Sequence, residues 1–125
     1  MARILIIEDD LTFLDLLRVH LSDAGHEVQI AEDAAIGLRA ILDNPPDLLL
    51  LDLNVPYLHG FEMLKALRSD PLTRRMPVVI ITGRDDEDAY VQALRIGIDG
   101  YLTRPVQREM LIATVEAGLG AVKAG

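Results

Sequence analysis

The chain has no cysteine, which excludes a disulfide framework, a thiolate metal site and a cysteine nucleophile. That usage fits a reducing compartment, and a cytoplasmic location is expected. Long apolar runs are missing too. The first, Ile4 to Ile7, stops at Glu8 and is far short of a signal-peptide core or a membrane helix, so no membrane association is expected. Positive charge is scarce: 12 Lys and Arg against 20 Asp and Glu leave a formal charge of −8. Such a surface repels phosphate backbones, and direct nucleic-acid binding is not expected. No linker, low-complexity segment or repeat interrupts the 125 residues, half of them hydrophobic, which suit one domain with one core over residues 1–125.

What the chain does contain is an alternation of strand-length apolar runs and helical periods. Leu48 to Leu51 is too uniformly apolar for a half-exposed strand and predicts one buried on both faces, ending at Asp52, with Asn54 and Pro56 turning the chain after it. Arg3 to Ile7, His26 to Ala31, Val78 to Thr82 and Gly100 to Thr103 are the other predicted strands. Between them the spacing predicts helices over Leu11 to Ser22 (Leu14, Leu17 and Leu21 inward), over residues after an N-capping Asp33 (Ala34, Leu38 and Ile41 inward) and over Phe61 to Ser69 (Phe61, Leu64 and Leu67 inward). Two more are predicted over Asp85 to Ile96, with Val91 and Leu94 inward and Gly97 as its terminator, and over Gln107 to about Leu119, with Leu111, Val115 and Leu119 inward. Strict alternation of this kind predicts a parallel α/β sheet with helices on both faces.

Open α/β sheets keep their chemistry at the carboxyl ends of the strands. There the first strand delivers Glu8, Asp9 and Asp10, and the third delivers Asp52. Asp9 or Asp10 can simply cap the following helix, but capping accounts for one acid and not three. Acids this close raise each other's pKa unless a positive charge sits among them, and a divalent cation meets that need. His20, His26 and His59 do not share these strand ends, so the donors are all oxygen, which favours Mg2+ first and Mn2+ second and disfavours zinc. Asp9 and Asp52 are the expected carboxylate ligands, with the backbone carbonyl of Asn54 as a third donor and Glu8 acting through water. A nucleotide or flavin site would place glycine or hydroxyl residues where the acids stand. Thr82 supplies a hydroxyl at the fourth strand end, Gly83 leaves room for a small anionic group, and Arg104 supplies a positive charge at the fifth.

The segments ILIIEDD, LLLLDLNVP, Gly60, PVVIITG and GIDGYLTRP resemble the successive motifs of the receiver domain of two-component response regulators, from Arg3 to Leu119. The resemblance implies a flavodoxin-like, doubly wound five-stranded parallel sheet of order 2-1-3-4-5. It further implies Asp52 as phosphoryl acceptor, Glu8 and Asp9 as the acidic pair, Thr82 as the hydroxyl that moves toward the phosphoryl group and Tyr101 as the aromatic switch. Its implied partners are a histidine kinase or a histidine phosphotransfer protein, with the surface of helix 4, strand 5 and helix 5 as the switched face and a homodimer possible through it. A cis Arg104–Pro105 bond is implied as well, and Arg84, like Asn54, is implied to flank the phosphoryl group.

One departure stands out: the family carries lysine where this chain has Arg104. Arginine is a broad planar fork and lysine a compact point charge, so weaker or differently timed coupling to Thr82 is expected. His59 also differs from the acid or small polar residue common there and reads as solvated loop. A signalling switch, rather than an enzyme turning over an external substrate, is therefore expected. Two alternatives stay open: a receiver-like interaction domain that takes little or no phosphate, and an aspartate-based phosphohydrolase. The latter is disfavoured because Asp52, Leu53, Asn54 lacks that class's D-x-D.

Overall fold

The computed structural model describes residues 2–53, 60–83 and 87–124. Five parallel strands, β1 (Arg3–Ile7), β2 (Glu27–Ala31), β3 (Leu48–Asp52), β4 (Val78–Thr82) and β5 (Gly100–Thr103), lie in the order β2-β1-β3-β4-β5. Helices α1 (Leu11–Asp23), α2 (Ala34–Asp43), α3 (Gly60–Ser69), α4 (Glu87–Ile96) and α5 (Arg108–Ala124) alternate with them. This is the expected flavodoxin-like α/β fold.

Period-two alternation divides each central strand between two cores. Ile4, Ile6, Leu48, Leu50, Val79 and Ile81 face α1 and α5, meeting Leu14, Leu17, Leu21, Leu111 and Val115. Leu5, Ile7, Leu49, Leu51, Val78 and Ile80 face the other way, onto Ile41 of α2 and Leu64 and Leu67 of α3. With both faces covered, β3 and β4 have no solvent side, which is why their sequences are unbroken apolar runs.

Local signals act where expected. Asp33 caps α2 by accepting from Ile36 N at 2.8 Å. Asn44 is extended ahead of Pro45, and α2 ends there. Gly97, at φ +117°, terminates α4, a backbone conformation that favours glycine. Three helix faces differ from expectation. Leu38 of α2 is exposed, and Gly37 takes the inward place beside Ile7. In α4 the buried residues are Ala89 and Ala93, while Val91 and Leu94 are exposed, so this helix packs through small side chains and keeps its larger ones outside. Phe61 of α3 is only half-buried, whereas Leu119 of α5 packs against the core as expected, and α5 continues past it to Ala124. The predicted start of α4 at Asp85 falls outside the described residues.

Candidate functional site

Backbone pairing carries the sheet ladder one residue beyond the strands. Glu8 N donates to Ala31 O (3.1 Å), Leu53 N to Ile81 O (3.0 Å) and Arg104 N to Thr82 O (3.0 Å). Because Ile7 is in register with Leu51, the next residues, Glu8 and Asp52, come level on adjacent strands. On the neighbouring β4, Thr82 follows Ile81, the partner of Asp52, and stands opposite Thr103 of β5. Glu8, Asp52 and Thr82 are all buried, and they are polar groups held there by strand register rather than by loops.

The positive charge among them is Arg104. Its Nη2 donates to both Glu8 Oε1 and Asp52 Oδ2, and its Nη1 lies 3.7 Å from Asp10 Oδ2. Asp10 has a second task. Its Oδ1 accepts from Thr12 N and Phe13 N at 3.1 and 3.2 Å, capping α1. The capping alternative therefore holds for Asp10, which also faces the site. Asp9 is exposed at the rim.

Burial is the main reason the Glu8 carboxyl is pushed up from its ordinary 4.5 to about 8. A hydrogen bond with Asp52 and the Asp52 charge push in the same direction, Arg104 opposes them, and Asp9 adds a little. At neutral pH, without another cation, Glu8 is thus mostly protonated. Burial alone would lower the Arg104 pKa, but hydrogen bonding and charge from Asp52, then from Glu8, raise it above the ordinary arginine value.

The donor set fits the expected hard cation in chemistry. Among the described residues the acids at the buried end, Glu8 and Asp52, offer oxygen donors beside the Arg104 guanidinium, and Glu8 Oε2 is buried without a hydrogen-bond partner. Among those residues no three acidic or histidine side chains converge enough to hold an ion alone, and the expected third donor, the Asn54 carbonyl, lies outside them. Arg84 and His59 lie outside them too. Gly83 is exposed directly after Thr82, and the Arg104–Pro105 bond is cis. Tyr101 is half-buried, with its ring edge-on to Tyr90 of α4 at 5.0 Å between centroids and an interplanar angle of 68°.

Two contributors were not foreseen from the sequence. Tyr90 is one. The other is Phe13, whose ring lies 3.9 Å beneath the Arg104 guanidinium carbon. The available signal for Phe13 was slight: an aromatic in the first turn of α1, off the leucine stripe and at the acid-bearing end of the sheet.

A five-stranded parallel sheet of order β2-β1-β3-β4-β5, with buried Glu8 and Asp52 and, among the described residues, Arg104 at its carboxyl edge, defines a flavodoxin-like α/β class of protein. Residues 4–116 match the response regulator receiver domain. The chain is 39% identical over 119 residues to protein PilH of Pseudomonas aeruginosa, covering 95% of this chain and 98% of PilH. It is 35% identical to the phosphate regulon transcriptional regulatory protein PhoB of the same organism, covering 93% of this chain but only 51% of PhoB. Among solved structures, a response regulator receiver domain protein from Clostridium thermocellum superposes with a TM-score of 0.90 at 30% identity, covering 99% of this chain and 98% of that one. The chemotaxis response regulator CheY4 of Vibrio cholerae gives 0.87 at 27% identity, covering 94% and 98%. The chain belongs to the response regulator receiver family, a signalling domain of two-component systems and not a turnover enzyme.

Proposed function

We propose that this chain, as a single receiver domain, accepts a phosphoryl group on Asp52 from a phosphohistidine of a histidine kinase or histidine phosphotransfer protein. One observation carries the reading: Asp52 is buried at the end of β3, level with Glu8, under a cation that already contacts its oxygen. A lone buried carboxylate would be unfavourable there, and a paired one is set up to act as a nucleophile. An Asp52 oxygen attacks phosphorus, the phosphorus–nitrogen bond breaks, and the imidazole leaves with the electron pair and takes up a proton. The product is an acyl phosphate on Asp52.

Asp9, Asp52 and the Asn54 carbonyl would hold Mg2+, or Mn2+ in its stead, with Glu8 reached through water. When bound, the ion supplies positive charge to the transferring phosphoryl oxygens. Arg104 is a fixed charge near enough to Asp52 to take up phosphoryl oxygens once they arrive. Thr82, buried on the next strand, provides the hydroxyl drawn to them. Movement of Thr82 changes the space beside Tyr101, and so the outer surface of α4, β5 and α5. Val91, Leu94 and Met110 expose apolar surface on α4 and α5, which supports a partner or a second copy docking there. Gly83, Arg84 and Pro105 are assigned to the rim around the phosphoryl group. A cytoplasmic location and an absence of direct nucleic-acid contact complete the reading. The net charge supports the latter, and no helix among the described residues is long and apolar enough to cross a membrane.

The test is intact-mass measurement after incubation with Mg2+ and a small acyl phosphate. One added phosphoryl mass is expected, absent from Asp52→Asn. A second reading, an interaction domain with weak or no phosphorylation, draws on the other side of the same contact: Arg104 engages Asp52 Oδ2 and so competes with an incoming phosphoryl group or metal for that oxygen. An unmodified wild-type mass would select that reading.

A further inference from the structure

Arg104 is held from two sides. On one side are Glu8 Oε1 and Asp52 Oδ2, both accepting from Nη2. On the other is the Phe13 ring, 3.9 Å from the guanidinium carbon. Phe13 is itself fixed by the α1 cap, since Asp10 Oδ1 accepts from its backbone N–H at 3.2 Å, while the same carboxylate turns Oδ2 toward Arg104 Nη1. Cap, ring and guanidinium therefore form one connected unit. A guanidinium over an aromatic face is attracted by the ring quadrupole, and it is stabilised there in competition with any other position. Its fit is incomplete, because Arg104 Nε is buried without an acceptor among the described residues.

We propose that Phe13 is a positioning residue that holds Arg104 in the acidic pocket as a resident counter-ion, and that this hold weakens divalent-cation binding at the same carboxylates. The inference rests on the metal site of the proposed function. A hard cation taking Asp52 needs the oxygen charge that Nη2 engages, and it repels the guanidinium. Whatever stabilises Arg104 in place therefore lowers affinity for the ion, and by linkage the ion loosens Arg104 from Phe13. Substituting Phe13 leaves every charge and every oxygen donor intact, so it isolates this coupling from the ligand set.

The experiment is Mg2+ titration by calorimetry on the full unphosphorylated chain at fixed pH and ionic strength. Phe13→Leu is expected to tighten Mg2+ binding about 2- to 5-fold, the range of a partly exposed cation–π contact. Phe13→Tyr keeps the ring face and is expected to retain the wild-type affinity. In an Arg104→Met background, Phe13→Leu is expected to change nothing. A tightening that persists in that background overturns the proposal, as does an unchanged or weaker affinity in Phe13→Leu while wild type binds Mg2+. Absence of binding in every variant overturns the metal site itself, and this inference with it. A measurement on the unaltered chain stands if Phe13→Leu does not fold. The Arg104 side-chain protons should carry an upfield ring-current shift by NMR that is lost on Mg2+ saturation, and a shift that survives saturation overturns the proposal.

Discussion

Glu8 and Asp52 are joined through a single nitrogen: Arg104 Nη2 donates to an oxygen of each, on adjacent strands in register. One guanidinium nitrogen thus serves two buried acids, and the pocket without a metal is balanced by Arg104 and by a proton on Glu8.

That proton makes stability depend on pH. Glu8 titrates at about 8 in the folded protein against an ordinary 4.5, so between these values the folded chain binds more protons than the unfolded one. Stability from this group is complete below 4.5 and is lost as pH rises through 8. In EDTA, wild type is expected to lose stability across that window with a slope of up to about 1.4 kcal/mol per pH unit from this group. Glu8→Gln should remove this contribution and become the more stable of the two above pH 8. Urea midpoints for both proteins from pH 5 to about 9 check it; parallel curves would refute the assignment.

Arg68 does for the opposite end of the sheet what Arg104 does for the site. Its Nε donates to Gly97 O at 2.9 Å, its Nη1 to Met76 O at 2.6 Å and Arg74 O at 3.1 Å, and its Nη2 pairs with Asp99 at 3.2 Å. Burial lowers its pKa, with Asp99 opposing. Arg68→Met removes the donors of three carbonyls in two connections at once, and a loss of about 2–4 kcal/mol is expected. Arg68→Lys should recover little, because an ammonium cannot reproduce the fork. Chemical denaturation ranks the three proteins, and equal stability of the lysine variant and wild type would show that charge alone suffices.

The strand ends and the acids they carry were legible because a parallel strand buried on both faces is written as an unbroken apolar run, as in Leu48 to Leu51. Where such a run stops, the chain leaves the core, so Glu8, Asp52 and Thr82 could be placed from the sequence. Helix faces were less legible. Leucine spacing succeeded in α1 and α5 but not at Leu38, Val91 and Leu94, because α2 approaches the sheet through Gly37 and α4 buries Ala89 and Ala93 instead. Small residues carry a weak hydropathy signal, and their role shows only once the neighbouring strand is in place. Phe13 was hidden for a different reason. Its partner lies 91 residues away in sequence, at the end of β5, and is brought beside α1 only by the order of the strands in the sheet.

Gly37 gives a direct check on that close approach. In an exposed helix interior, glycine to alanine gains about 1 kcal/mol. Here an added Cβ would press closest on Ile7 Cδ1 and lie 2.7 Å from Ile7 Cγ1, and Ile7 is fully buried. Overpacking of this kind typically destabilises by about 1–3 kcal/mol, so Gly37→Ala is expected to lower the thermal midpoint. Ile7→Val in the same chain trims the atom nearest to the added methyl and should recover part of the loss. A rise in midpoint for Gly37→Ala alone would mean that α2 moves outward freely.

Tyr90 and Tyr101 meet edge to face across α4 and β5, the surface assigned to output. Such pairs contribute about 0.5–1.5 kcal/mol beyond the area they bury. A double-mutant cycle with Tyr90→Leu and Tyr101→Leu is expected to return a coupling energy of that size in the unphosphorylated chain. If Asp52 phosphorylation draws Tyr101 inward, the pair separates, and the same cycle run after acyl-phosphate treatment should return about zero coupling. The contact then acts as a holding interaction for the resting state, and Tyr90→Leu should shift the Tyr101 ring toward its inward position before any phosphate arrives. Ring proton shifts of Tyr101, compared between wild type and Tyr90→Leu, read that displacement directly. Equal coupling in both states would leave Tyr90 a packing neighbour with no share in the switch.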